Sequence, residues 1–268
     1  MAPMHSREDD LKLIHRMADR AADVIMPFFR AIPAVENKEA EGFDPVTAAD
    51  KGAEEAIRAL LSTERPDDGV LGEEFAPLTT RNGRTWILDP IDGTRGFICG
   101  LPTWGVLMAL YEEGTPTLGM MAQPFVGERF YANADGAFHA WSRGVEPMKT
   151  RRCRGLSEAI VACTAHHHFD DAMRTKMLAL NDKVRMVRYG TDCYGYALLA
   201  AGHVDVVVET RLQAYDIAPF IPIIERAGGQ LFDRHGVAIS DTILSNYGGD
   251  GIAVGDPSLK EALLDALA

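Results

Sequence analysis

Two aspartates stand three positions apart at the end of an apolar run, Trp86-Ile-Leu-Asp89-Pro-Ile-Asp92-Gly-Thr94. The run predicts a buried strand that stops, turns and opens a short helical segment near Arg95–Ile98. Pro90 fixes one φ angle between the carboxylates, and Gly93 permits a backbone that a side chain would oppose. The amides of Gly93 and Thr94 then stand at a helix start as free donors, which suits a phosphate. Carboxylates for a hard cation beside amides for an oxyanion point to metal-assisted phosphate chemistry. On these residues alone the plainer alternative is an acidic turn with an aspartate cap.

Other acids also end apolar runs or open helices. Val70-Leu-Gly-Glu73-Glu74 predicts a short strand closing on adjacent glutamates. On extended chain those two face opposite ways, so at most one joins a shared site. Asp216 opens a predicted helix. Asp50 follows Val46-Thr-Ala-Ala, where Thr47 capping a helix with Asp50 at its third position is the plain reading. Glu73, Asp89, Asp92 and Asp216 are about the number of carboxylates that two-metal cleavage of a phosphate ester needs, one of them bridging. Thr94 and Asp50 offer a hydroxyl and a carboxylate to orient a water.

The elements that must position these groups follow in order. An amphipathic helix is predicted over Asp9–Ala31, with Pro27 kinking or ending it, and a second helix to about Leu61. Between them Glu36–Pro45 reads as a polar loop carrying Lys38, whose part in the site is open. Short strands at Val106–Tyr111, Thr117–Gln123, Glu128–Ala132 and Gly136–Ala140 read as an antiparallel meander. Pro147–Leu156 is basic and irregular and marks a boundary, dividing the chain into halves at 1–148 and 149–268. Beyond it the elements alternate: strand Ala159–Ala162, helix Asp170–Leu180, strand Lys183–Arg188, helix Cys193–Ala200, strand Val204–Glu209, helix Asp216–Ala227. Alternation implies a layered α/β half. Leu231 and Phe232 read as an edge strand, Gly251–Val254 as a strand, and Pro257–Leu267 as a closing helix. Trp86, Trp104 and Trp141 are expected in the core or at an interface.

Composition narrows the function. The 268 residues carry 27 basic against 39 acidic side chains, a net charge of −12. That argues against nucleic acid or an anionic membrane as partner, and it would repel a phosphate unless bound cations invert the local field. Cys99, Cys153, Cys163 and Cys193 form no paired motif and read as reduced thiols of a cytoplasmic protein. No apolar signal core or membrane-length run is seen. His166-His-His168 invites a zinc reading, but three consecutive imidazoles do not readily converge on one ion, so a loop or substrate-rim role is preferred.

Gly72-Glu73-Glu74, Asp89-Pro-Ile-Asp-Gly-Thr94 and Asp216-Ile-Ala together resemble the three signatures of the inositol monophosphatase family. Val46-Thr-Ala-Ala-Asp50 is similar to that family's preceding element, and the likeness spans roughly Asp9 to Gly229. It implies a layered α-β-α-β-α sandwich, an α/β (α+β) fold, and a lithium-sensitive phosphomonoesterase using two or three Mg²⁺ per site. Glu73, Asp89 and the carbonyl of Ile91 would hold one ion; Asp89, Asp92 and Asp216 would hold a second. Asp50, Thr94 and Glu73 form the implied catalytic set, with Thr94 and Asp50 orienting the attacking water. Asp92, Gly93 and Thr94 would meet the phosphate. A homodimer is common in the family, and Leu101–Val106 is a candidate contact.

The segments Arg188–His203, Tyr215–Glu225 and Phe97–Trp104 are similar to the histidinol-phosphatase branch of that family. That likeness implies a small phosphate ester from histidine biosynthesis as substrate, with Asp192, Glu209 and Arg188 contacting it. Carboxylates at the leaving-group end would favour the ammonium of histidinol. For Asp192 alone a helix N-cap is the competing reading. An inositol, sugar or nucleotide phosphatase is the alternative activity. A non-catalytic binding protein on this fold would be expected to lack a metal carboxylate, and none is missing.

Overall fold

The computed structural model of the chain describes residues 6–31, 48–239 and 247–268. Lys38 and Thr47, and the expectations attached to them, lie outside that set. The chain opens with α1 (Arg7–Ile25) and α2 (Ala48–Glu64). Ser6 and Asp9 satisfy each other's amides in a capping box, which starts α1 ahead of its predicted position. It stops at Ile25, well short of Ala31, because Pro27 has no N–H to extend the ladder.

Then come β1 (Gly69–Gly72), β2 (Arg84–Asp92), α3 (Thr94–Ile98), β3 (Gly105–Glu112), β4 (Thr115–Gln123), β5 (Glu128–Asn133), β6 (Gly136–Trp141) and β7 (Gly144–Pro147). These strands form one seven-stranded sheet in chain order. Only β1 and β2 run parallel; the rest is the expected meander. Glu73 and Glu74 fall just past β1, in a bend. The unexpected β7 is an exposed edge strand, so it carries no buried alternation to read.

The second sheet takes β8 (Ile160–Cys163), α4 (Asp171–Asn181), β9 (Met186–Tyr189), α5 (Tyr194–Ala200), β10 (Val206–Gln213), α6 (Ala214–Ile217), α7 (Phe220–Ala227), β11 (Gln230–Phe232), β12 (Gly248–Val254) and α8 (Lys260–Leu267). Its order is β11-β12-β10-β8-β9, so Leu231 and Phe232 do sit at an edge. The helix expected over Asp216–Ala227 is two helices, broken where Pro219 cannot donate.

Period-2 alternation builds the layers. On β2, Trp86 and Leu88 face α1 and α2, while Ile87 faces inward with Leu107 and Ala109 of β3. That inner core takes in α5 and α7 together with Val207 of β10 and Ala253 of β12. Val206, Val208, Ile252 and Val254 face the opposite way, onto α4 and α8. The result is an α/β sandwich of helices, sheet, helices, sheet, helices. Trp86 and Trp104 are fully buried, as expected.

Two bulges aim the chain at one place. Pro90 and Ile91 of β2 together oppose the single Val106, since Asp89 pairs with Leu107 and Asp92 with Gly105. Thr210 and Arg211 of β10 likewise oppose only Asp250, between the pairs Glu209–Gly251 and Leu212–Gly249. A bulge bends its strand and redirects side chains. A proline fits the first because no ladder donor is needed there.

Candidate active site

The two bulges, the start of α5 and the start of α6 surround a cleft of about 410 Å³. Asp92, Gly93, Thr94, Asp192, Glu209 and Asp216 are among its lining. Asp89 is nearly sealed, at 2% exposure. Carboxylate oxygens of Asp89, Asp92 and Asp216 nonetheless lie within 4.8 Å of one another. Residues far apart in sequence are thus gathered at one point.

Backbone amides fix each of these carboxylates. The amide of Ile91 donates to Asp89 Oδ1 at 3.1 Å, that of Cys193 to Asp92 Oδ2 at 3.0 Å, and that of Gln213 to Asp216 Oδ2 at 2.7 Å. The carboxyls of Glu73 and Asp216 both reach hydrogen-bonding range of Asp89, which puts Asp89 at the centre of the group. Crowding has the expected electrostatic result. Burial, then the charges of Glu73, Asp92, Asp216 and Asp50, holds Asp89 well above the ordinary carboxylate range. Asp92 is pushed up to about 8 by burial and by Asp216 and Asp192. Asp216 is raised to about 7 by burial and Glu73. Glu73 keeps an exposed edge, yet lost hydration and the charges of Asp50, Glu74 and Asp92 lift it to about 8. So many like charges crowded around a buried one need a counter-cation, and an all-oxygen donor set suits a hard divalent ion.

The turn itself is specified by Gly93. Its φ is +81°, and a Cβ there would lie 3.0 Å from Asp192 Cβ and 3.1 Å from Trp104 Cα. Thr94 begins α3, and its hydroxyl donates to the Ile91 carbonyl at 3.2 Å. Because α3 is a single turn, its start offers two local amides and little helix dipole. Asp50 is buried on α2, at 3% exposure.

The chain matches the inositol monophosphatase family over residues 7–268. It belongs to that family. A histidinol-phosphatase from Chlorobaculum parvum is 38% identical, over 85% of this chain and 86% of that protein. One from Mycobacterium tuberculosis is 34% identical, over 91% of this chain and 93% of its own length. The solved structure of an inositol monophosphatase from Zymomonas mobilis is 41% identical with a TM-score of 0.85, covering 98% of this chain and 99% of that one. The protein is therefore a phosphoric monoester hydrolase of the inositol monophosphatase family, whose members are metal-dependent, and its acidic cluster fits that dependence. No described helix is long and apolar enough to cross a membrane.

The wall facing the floor of this family site carries the residues expected to meet substrate, with one exception. Asp192 has a left-handed φ of +44°. Its Oδ2 accepts from the Thr103 hydroxyl at 2.9 Å, and its side chain does not cap α5. Burial raises its pKa. Glu209 is 3% exposed and accepts from the amide and hydroxyl of Thr164, at 2.5 and 2.9 Å. Burial pushes it up to about 8. Arg188 is the exception. It is exposed on β9, the edge strand of the second sheet, and is not among the residues that line this cleft. His166–His168 form a 3₁₀ turn at the rim, where His167 and His168 accept from Arg95.

Sequence reasoning missed the support under Glu73. Glu54, fully buried on α2, accepts from the Glu74 amide at 2.9 Å and from Arg58 at 2.7 Å. A Cβ on Gly72 would come within 2.0 Å of the Glu54 carboxyl, so any side chain there would displace it from the Glu74 amide and Arg58. The signal was present: Asp50, Glu54 and Arg58 recur at helical spacing on one face.

Proposed function

We propose that this chain is an Mg²⁺-dependent phosphatase acting on L-histidinol phosphate. The observation that supports the substrate is the wall: half-buried Asp192 and buried Glu209 both line the cleft, and we assign them to the leaving-group side. An inositol ring offers hydroxyls there, whereas histidinol offers an ammonium that one ionised carboxylate would favour. The histidinol-phosphatases that resemble this chain support the reading. Inositol 1-phosphate is the second reading, favoured by the Zymomonas mobilis likeness.

Glu73, Asp89, the Ile91 carbonyl, Asp92 and Asp216 would hold the ions, with the central Asp89 shared. Mg²⁺, when bound, acidifies water and neutralises charge developing on the phosphoryl group. The chain's own groups do the rest. The amides of Gly93 and Thr94 would donate to phosphate oxygens. The Thr94 hydroxyl, with Asp50, would orient the attacking water and receive its proton toward a carboxylate. Asp192 and Glu209 would hold the leaving alcohol in line.

Phosphate release from L-histidinol phosphate, inositol 1-phosphate and adenosine 3′,5′-bisphosphate, with and without Mg²⁺, tests this. Histidinol phosphate is expected to lead in kcat/KM, and activity to vanish with chelator. Equal or faster turnover of either competitor refutes the substrate assignment.

A further inference from the structure

The floor of the cleft is anionic and so is the molecule, yet the cleft's mouth is not. Arg95 and Arg211, both exposed, line the cleft together with His168. Both arginines act electrostatically on His168, and the Thr210 hydroxyl ties the bulge of β10 to the His168 carbonyl at 2.9 Å. Arg95 Nη1 lies 2.5 Å from His167 Nε2 and 2.9 Å from His168 Nε2. A guanidinium only donates, so both imidazoles accept in these contacts, and the fixed charge of the rim belongs to the arginines.

Neither Arg95 nor Arg211 makes a direct ion pair with a described carboxylate, although Arg95 acts electrostatically on Asp192 across the cleft lining. Arg211 also has a left-handed φ of +63°, unfavourable for any residue with a side chain. It is the extra residue of the bulge, so the strained conformation is what turns its side chain to the cleft.

We infer that Arg95 and Arg211 form an oxyanion landing site, which captures the phosphate group of an ester before it reaches the metal-binding floor and holds released phosphate as it leaves. A dianion approaching a molecule of charge −12 meets repulsion beyond the reach of ions buried in the floor, and two cations at the entrance reverse the local field. This rests on the cleft taking a phosphate ester, and not on which ester.

Arg211→Gly is the decisive variant, because glycine adopts the left-handed backbone without strain and the fold is kept. Inorganic phosphate binding to the metal-free full chain, followed by ³¹P NMR at low salt, should weaken about tenfold, while Arg211→Lys stays near wild type. With whichever ester is turned over, kcat/KM of Arg211→Gly should fall about fivefold at low ionic strength and converge on wild type at high salt. Unchanged phosphate binding together with an unchanged salt slope would overturn the landing site. Loss in both Arg211→Gly and Arg211→Lys would also overturn it, by assigning the effect to shape. The binding measurement needs no turnover, so it is decided even if histidinol phosphate proves not to be the substrate.

Discussion

The floor of the cleft and its wall are built by different means. On the floor, main-chain amides of Ile91, Cys193 and Gln213 hold the carboxylates of Asp89, Asp92 and Asp216. On the wall, side-chain hydroxyls take a leading part: Thr103 holds Asp192, and Thr164 holds Glu209 by both its hydroxyl and its amide. A carboxylate fixed by a bulge and its amides stays put whatever the neighbouring side chains become. One held by a threonine can move when a single residue changes. The same floor can therefore serve relatives that act on different alcohols, while the wall carries the choice among them.

The sharpest way to break this comparison is at the centre of the floor. Asp89→Asn should cost on the order of a thousandfold in kcat/KM, because the shared charge is lost. The same change should raise the Tm of the metal-free protein, since one buried negative charge leaves the cluster. Glu73 and Asp92, held up to about 8, and Asp216, held up to about 7, bind more protons folded than unfolded between about pH 4 and pH 8. Their stabilising contribution is complete below the unfolded pKa and is lost as pH rises through the folded one. Thermal melts of metal-free protein should accordingly fall in Tm from about pH 5 to about pH 8, and saturating Mg²⁺ should flatten that fall. A metal-free Tm that climbs over this range would remove the electrostatic basis of the floor.

One step out, Glu54 tests whether support beneath the floor matters as much as the ligands. Glu54→Gln keeps the volume against Gly72 but loses the charge that holds Arg58 and the Glu74 amide. Mg²⁺ affinity, titrated calorimetrically and through activity, should weaken about 10- to 100-fold, with kcat at saturating Mg²⁺ much less affected. A loss confined to kcat would instead make Glu54 part of the chemistry.

The same division explains what could be read from the sequence. Asp89-Pro-Ile-Asp-Gly-Thr94 was legible because its strand and its turn are local, and each residue type has a backbone reason to be there. The antiparallel meander and the layered α/β half were legible from alternation and periodicity, while the full sandwich followed from the family likeness. Arg188 stands off the cleft lining because β9 is the edge strand, one strand further from the bulge of β10 than β8 is, and strand order cannot be read from nearness in sequence to Asp192. Glu54 and Gly72 went unread because their fit joins α2 to the end of β1, a contact that exists only after packing. The exposed β7 was missed for lack of a buried alternation, whereas the break in the helix expected over Asp216–Ala227 had a local sign in Pro219 that was not read. Arg211 gave no sign at all, since a bulge is a property of two strands in register.

The smallest expected effect is the most informative about the wall. Asp192→Asn removes one charge while asparagine tolerates the left-handed φ and still offers an oxygen to the Thr103 hydroxyl, so Tm should hardly move. If Asp192 reads the ammonium of histidinol, kcat/KM for histidinol phosphate should fall about tenfold and that for inositol 1-phosphate should not change, roughly one charge-assisted hydrogen bond in place of a neutral one. Equal losses on both substrates would mean that the carboxylate serves the floor, for example through its influence on Asp92, and that choice of alcohol lies elsewhere on the wall. Glu209 is then the remaining acid in position to make it. Its tight bonds to Thr164 leave it less room to adapt, which would tie specificity to the second sheet and detach it from the turn at Gly93.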